Sequence, residues 1–342
     1  MMASRIDTIE ITEERMTFDD SKELLGEWPK DSQIDFWHDP VVDTRYVFRT
    51  ALGETVIAGI KKKVYQDEKY DEIKDCLMSI DSTSTMRASA AGPIDTEERG
   101  WTIVDHDEKT GSPIYGDDDG NRYKLRTKNS YFKVDSKGKM SGVAQGNEIH
   151  SVMIGHKRGR LTGRMAPSNW MKDNPAKSEI LCQIPAINDL AYEELAPNEY
   201  NFQKSYAEKA ILPEHRLGGS IHTTLSANKY STNGSRRMSY HIDSGDLDGG
   251  LTTIATFLEG DVKTYFVLPR FGLAVARGDG DVFIGDSGQV HGVIDIEGDG
   301  ISMNCVSYCD TRLATQGNMG KPEKLIGQLG KKQARNLEEL FG

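Results

Sequence analysis

From Gly218 to Arg312 the sequence passes through eight short β-rich runs, separated by Gly/Asp turns and by no helical stretch. Closely spaced strands of this kind exclude a βαβ sheet and predict an antiparallel sandwich or barrel. Upstream the texture is mixed. Helices are predicted over 21–28 and 65–78, a hairpin over 45–60 around Gly53, an exposed loop over 111–121, and helices within 180–212 closed by Pro213. Downstream, Pro322 opens an amphipathic helix whose Leu325, Ile326, Leu329, Leu337 and Leu340 are expected to pack on the outside of the barrel. The fold class read from this pattern is mainly β with flanking helices (α+β). The expected divisions are an N-terminal extension (1–100), a basic middle region (101–215), the β core (216–313) and a C-terminal loop and helix (314–342).

Composition narrows the function classes. With 37% hydrophobic and 28% charged residues, the chain has material for a core and is not a disordered polyelectrolyte. The formal net charge of -11 excludes a uniformly basic nucleic-acid coat protein. No apolar run approaches the ~20 residues of a membrane span. The opening residues lack a signal peptide's apolar stretch, and the four cysteines form no CxxC pair. The expectation is a soluble, cytoplasmic protein.

Charge is strongly segregated. Between Asn121 and Lys172 twelve basic residues face two acids, Asp135 and Glu148. Tyr123, Tyr131, Phe132 and Trp170 are interleaved with them, an arrangement suited to phosphate contact and base stacking. A solvated basic face paired with acids elsewhere in the chain is the alternative reading.

The chemistry-bearing string is Tyr240-His241-Ile242-Asp243. On a strand, residues i and i+2 point to one face, so His241 and Asp243 can reach one metal ion. His291, in Val290-His291-Gly292-Val293, lies on a later strand, which a double-stranded β-helix (a jelly-roll or cupin-like core) brings beside the first. Two imidazoles and a carboxylate on one face of an octahedral ion leave three positions open, the arrangement of non-haem Fe(II) oxygenases.

Several stretches carry a family resemblance: Thr223–Asp243, the turn Ser244–Gly250, Tyr265–Val275, Gly280–Phe283 and Val290–Val293. The region from about Leu217 to Arg312 resembles the TET/JBP group of Fe(II)- and 2-oxoglutarate-dependent dioxygenases, which oxidise the 5-methyl carbon of pyrimidines in nucleic acid. The resemblance covers under a third of the chain. It implies that His241, Asp243 and His291 hold Fe(II), that 2-oxoglutarate and dioxygen are co-substrates, and that the partner is DNA with its target base flipped into a pocket. It leans to 5-methylcytosine over thymine. No obligate protein partner is evident.

One departure concerns the co-substrate. The family's arginine on the strand after the distal histidine, which forks onto the distal carboxylate of 2-oxoglutarate, falls here on Ser302, with Asn304 in the place of the following serine. No Lys or Arg occurs between His291 and Arg312. Arg312 and Lys263 are the first candidates to supply the cation, with Arg270 and Arg277 behind them. Candidates to line the base pocket are His222, Asn228, Tyr230, Tyr240 and the run Ser235-Arg236-Arg237, whose arginines would hold flanking phosphates. The rival readings are the same iron chemistry on a protein or small molecule, and a non-catalytic cupin-like metal-binding protein.

Overall fold

The computed structural model describes residues 6–314, apart from 51–52, 67, 85–86, 88, 137, 159–164, 232–235, 244 and 295–296. The amphipathic helix expected after Pro322 lies outside the described residues, as does Ser235.

The N-terminal region contributes β1 (Asp7–Ile11), β2 (Phe36–His38), β3 (Thr44–Thr50), β4 (Gly53–Lys61) and the short β5 (Thr83–Ser84). The β3–β4 pair is the hairpin expected from the alternation over 45–60. A helix, Glu68–Met78, follows it. The next five strands, β6 (Thr102–His106), β7 (Pro113–Gly116), β8 (Arg122–Thr127), β9 (Ser130–Val134) and β10 (Met140–Gln145), form a separate antiparallel sheet in reverse chain order. The segment 111–121, expected as a loop, therefore contains a strand. Ile114 of β7 is buried, and one apolar contact suffices to hold a turn-rich segment in a sheet.

Beyond this sheet come β11 (Ile149–Arg158) and β12 (Met165–Pro167), four helices between Asn169 and Ala210, and then β13 (Thr224–Ser231), β14 (Met238–His241), β15 (Thr252–Leu268), β16 (Leu273–Arg277), β17 (Val282–Gly285), β18 (His291–Val293) and β19 (Glu297–Tyr308). Ile184–Leu195 is amphipathic, burying Ile184, Asn188, Ala191, Tyr192 and Leu195. Asn188 donates to Thr253 Oγ1 at 3.0 Å, and the Tyr192 hydroxyl accepts from the Leu251 amide at 2.7 Å, which pins the helix to the start of β15.

β15 organises the molecule. Its first residues pair with β17 and its length with β19, giving the antiparallel order β17-β15-β19-β13. Its last residues pair instead with β16 and β18, and β18 pairs with β14, giving a second antiparallel layer, β14-β18-β15-β16. One bent strand thus belongs to both layers. β4 extends the first layer beyond β17, and β11 extends it beyond β13, so residues from the expected N-terminal and middle regions complete the large mixed sheet. Phe257, fully buried in β15, packs between the large sheet and the helices beside Tyr65 and Tyr70.

The five-stranded sheet has its own small core. Trp101 stacks on Tyr123 with ring centroids 4.1 Å apart, and Tyr131 packs edge-on to both. Two aromatics expected to face nucleic acid are therefore buried inside the sheet's own cluster, and Trp170 packs against the main core. Trp101→Ala removes the centre of this cluster and is expected to cost about 3 kcal/mol. Limited proteolysis within 102–145 should quicken, while the core strands stay protected.

Candidate active site

Alternation along the strands decides what faces the space between the two layers. From the first layer come Ser226, Asn228 and Tyr230 on β13, Asn304, Val306 and Tyr308 on β19, Thr252 and Ile254 on β15, and Phe283 and Gly285 on β17. From the second come Met238, His241, Phe266, Arg277, His291 and Val293. They line a cavity of about 80 Å³ that opens to solvent, into which Asp243, Asp246, Ser287 and Arg87 also project.

His241, Asp243 and His291 meet in this cavity with one ligand atom from each inside 4.8 Å of the others. His241 and His291 are cross-strand partners on β14 and β18, with ring centroids 4.3 Å apart. Asp243 lies between them, Oδ1 at 3.7 Å from His241 Nε2 and Oδ2 at 3.6 Å from His291 Nε2. Each imidazole uses its other nitrogen on the backbone. His241 Nδ1 donates to the Ser239 carbonyl at 2.8 Å, and His291 Nδ1 donates to the Gln289 carbonyl at 2.9 Å. Holding both Nδ1 atoms on backbone carbonyls turns both Nε2 atoms towards the common centre, as metal-binding histidines require. Phe266 stacks on His291 at 5.1 Å and fixes its ring plane.

Electrostatics agree with that geometry. Burial pushes His241 down to about 4, and the neighbouring His291 adds to the effect, so the ring is neutral at pH 7. Burial alone would raise Asp243, but the His291 hydrogen bond and the charges of both imidazoles outweigh it and hold the carboxyl well below the usual carboxylate range. Burial and the charge of Asp243 push Asp246 up to about 7, and its carboxylate accepts from Thr252 and Ser287. Burial works against the charged form of His291, but the hydrogen bond and charge of Asp243 outweigh it and raise that ring above its ordinary value, so a metal ion entering here would displace its Nε2 proton. Two imidazoles and an ionised carboxylate then form a donor set that fits Fe(II).

With the triad placed, the chain can be set beside known proteins. It is 33% identical over 125 residues to the bifunctional helicase and thymine dioxygenase JBP2 of Trypanosoma brucei brucei, a match covering 36% of this chain and 10% of that protein. The chain spans about a tenth of the length of this curated relative. No protein-family model matches the chain. Among solved structures, NgTET1 in complex with 5mC DNA aligns over 88% of this chain and 93% of its own, with 11% identity and a TM-score of 0.49. An oxidoreductase of the 2OG-Fe(II) oxygenase family from Burkholderia pseudomallei aligns over 74% and 85%, with 8% identity and a TM-score of 0.36.

The other expected site residues divide. Asn228, Tyr230 and Asn304 line the cavity. Ser302 shares their face by alternation, but its hydroxyl is taken by the Asn304 amide at 3.1 Å and it does not border the cavity. Tyr240 does not face it either. As the strand neighbour of His241 it points to the opposite face and into the opposite cluster, where its hydroxyl donates to Gln33. His222 is buried away from the cavity, against Asp189 at 3.0 Å. Arg237 stacks over Trp28 with its guanidinium 4.4 Å from the ring, and neither it nor Arg236 borders the cavity.

Both leading candidates for the co-substrate cation stand outside the cavity lining. Lys263 pairs with Asp39 at 2.7 Å on the surface. Arg312 is fixed two-pronged by Asp310 and packs over Gly245, whose φ of +108° and close approach to that guanidinium suit a residue without Cβ. Arg270 pairs with Glu14. Arg277, ranked behind them from sequence, is the one that enters the cavity, together with Arg87, which lay outside the sequence reasoning.

Part of the basic segment is neutralised locally, by acids outside the 121–172 window. Arg122 pairs with Asp105, Lys124 with Asp107 and Lys128 with Glu27. Lys157, Arg158, Arg312 and Arg87 instead line an open groove of about 680 Å³ that also contains Trp170 and one acid, Asp310. Arg87 borders both the groove and the cavity.

Proposed function

We propose that the chain is an Fe(II)- and 2-oxoglutarate-dependent dioxygenase that hydroxylates the 5-methyl group of a pyrimidine in DNA. The observation that carries this reading is the convergence of His241, Asp243 and His291 in one cavity between the two layers, in a chain similar over 125 residues to a bifunctional helicase and thymine dioxygenase. The two four-stranded layers sharing β15 are, in this reading, the faces of a double-stranded β-helix, and the 102–145 sheet and groove belong to the DNA-contacting part.

His241, Asp243 and His291 would hold the iron, which, with 2-oxoglutarate and dioxygen, supplies the power to oxidise an unactivated C–H bond. The chain's own residues do the rest. The Ser239 and Gln289 carbonyls hold both Nδ1 atoms and so direct both Nε2 atoms at the metal position. Ile254, Phe266, Phe283, Val293 and Val306 give the cavity an apolar wall that excludes water. Arg87, at the junction with the groove, stands where a flipped base would pass from its strand into the cavity, and the groove's cations would meet flanking phosphates. Thymine and 5-methylcytosine carry the same methyl group; the thymine dioxygenase relative supports thymine, so both bases are substrates to assay.

Anaerobically loaded protein should convert 2-oxoglutarate to succinate on exposure to air, and DNA carrying the target base should accelerate it. Turnover stimulated equally by a peptide or free nucleoside, and not by DNA, would favour another substrate class. Lys157→Ala and Arg158→Ala should each lower DNA affinity across all sequences and reduce the slope of log affinity against log salt by about one. Fluorescence anisotropy at several ionic strengths measures both.

A further inference from the structure

Arg277 is an anomalous charge among the described residues. It ends β16, is 2% exposed, and has no acidic partner among the described residues. Its hydrogen-bond partner is neutral: Nη2 donates to Thr264 Oγ1, its cross-strand neighbour, at 3.0 Å. Its Nε is buried without an acceptor. A guanidinium in apolar surroundings with an unused donor is costly unless an anion completes it. Burial pulls the group down to about 10, which leaves it charged at neutral pH.

Its position fits that anion to the metal cluster. Phe266 touches both: its ring stacks on His291 at 5.1 Å and lies 6.0 Å from the Arg277 guanidinium carbon. The guanidinium is thus one aromatic ring away from the triad. Tyr230, whose cross-strand partner is Ser302, lines the same cavity. Position 302 lies behind the lining residues Tyr230 and Asn304 of the first layer, on their face, so a longer side chain there would extend towards the cavity that Arg277 enters from the second layer. Arg87 makes a poorer anchor for a buried anion, because it stands at the groove junction and donates to Ser226.

We propose that Arg277, reaching in from β16, binds the distal carboxylate of 2-oxoglutarate, the task that a basic residue at position 302 would otherwise perform. The assignment rests on the oxygenase reading above and names the residue that selects the co-substrate. Two charge-assisted hydrogen bonds from a buried fork make the distal carboxylate the main determinant of affinity. The dicarboxylic acid should be preferred over a monocarboxylic analogue of the same chain length that ends in methyl.

The test is calorimetric titration of the full chain, loaded with Fe(II) without oxygen, using 2-oxoglutarate and 2-oxopentanoate. The wild-type chain is expected to bind 2-oxoglutarate about 100-fold more tightly or better. Arg277→Met should reduce 2-oxoglutarate affinity to that of 2-oxopentanoate, whose own binding stays within about threefold. Adding Ser302→Arg to Arg277→Met should restore part of the preference from the first layer. Arg277→Lys keeps the charge without the fork and should cut discrimination about tenfold, an arm that stands if the methionine variant fails to fold. Equal binding of the two acids by the wild-type chain overturns the assignment, as does an undiminished preference in Arg277→Met or Arg277→Lys. A loss of preference in Arg87→Met but not in Arg277→Met overturns it too. If neither acid binds the iron-loaded wild-type chain, the 2-oxoglutarate reading itself fails.

Discussion

Asp243→Ala is expected to lose metal binding and to lower turnover by about 1000-fold or more, while leaving the far-ultraviolet circular dichroism unchanged. Partners that merely orient a metal ligand already cost 10–100-fold when removed, so deleting a direct ligand must cost more. Asp243 is the only acid in the described cluster, and its two oxygens are shared between His241 and His291. Without it, two neutral imidazoles face each other with no negative charge to offset a divalent ion. The fold should survive, because Asp243 follows β14 and makes its one backbone bond as a donor, from its amide to the Ser287 carbonyl. Metal content by elemental analysis, read beside succinate yield, separates lost ligation from lost chemistry. A variant that retains stoichiometric iron and full turnover would remove Asp243 from the site.

Phe257→Ala is the largest stability effect expected outside the site, about 3–5 kcal/mol. Phe257 is fully buried on β15, the strand both layers share, with Tyr65 edge-on at 5.0 Å and Tyr70 at 5.9 Å. Its neighbours belong to the large sheet and to helices, so they cannot all move to fill the gap, and the cavity penalty adds to the lost transfer free energy. Urea unfolding of metal-free protein should show the midpoint falling with little change in slope. A loss below 1 kcal/mol would mean that this core relaxes freely.

How much was legible in the sequence follows from how local each cue is. His241, Asp243 and His291 could be found because strand alternation and turn spacing are short-range patterns. Tyr240 lies outside the cavity for a reason already in the sequence, since it is the strand neighbour of His241 and adjacent strand residues face opposite ways. The shift between Met238 and His241 is what no local pattern announces, and it brings Met238 onto the cavity side. Arg277 did carry a cue that went underweighted. In Leu273–Arg277 alternation sets it beside Leu273 and Val275, and those two pack in the same cluster as Phe266 and Phe283 of the cavity wall. A charge that continues an apolar face is a buried charge. Arg312 carried the opposite cue, an aspartate two residues earlier that ties it down. The basic segment looked more exposed than it is because Asp105, Asp107 and Glu27 are remote in sequence and adjacent in space, as Trp101 is to Tyr123. Pairing between distant segments is what a linear reading lacks.

The central claim is that this cavity oxidises a pyrimidine methyl group, and product identity tests it most directly. DNA containing thymine or 5-methylcytosine should be incubated with the Fe(II)-loaded chain, 2-oxoglutarate and air, digested to nucleosides and weighed by mass spectrometry. The account predicts a new nucleoside heavier by one oxygen, formed from at least one of the two bases and absent with His291→Ala. Unaltered nucleosides from both substrates, in a preparation that binds iron and consumes 2-oxoglutarate, would contradict it.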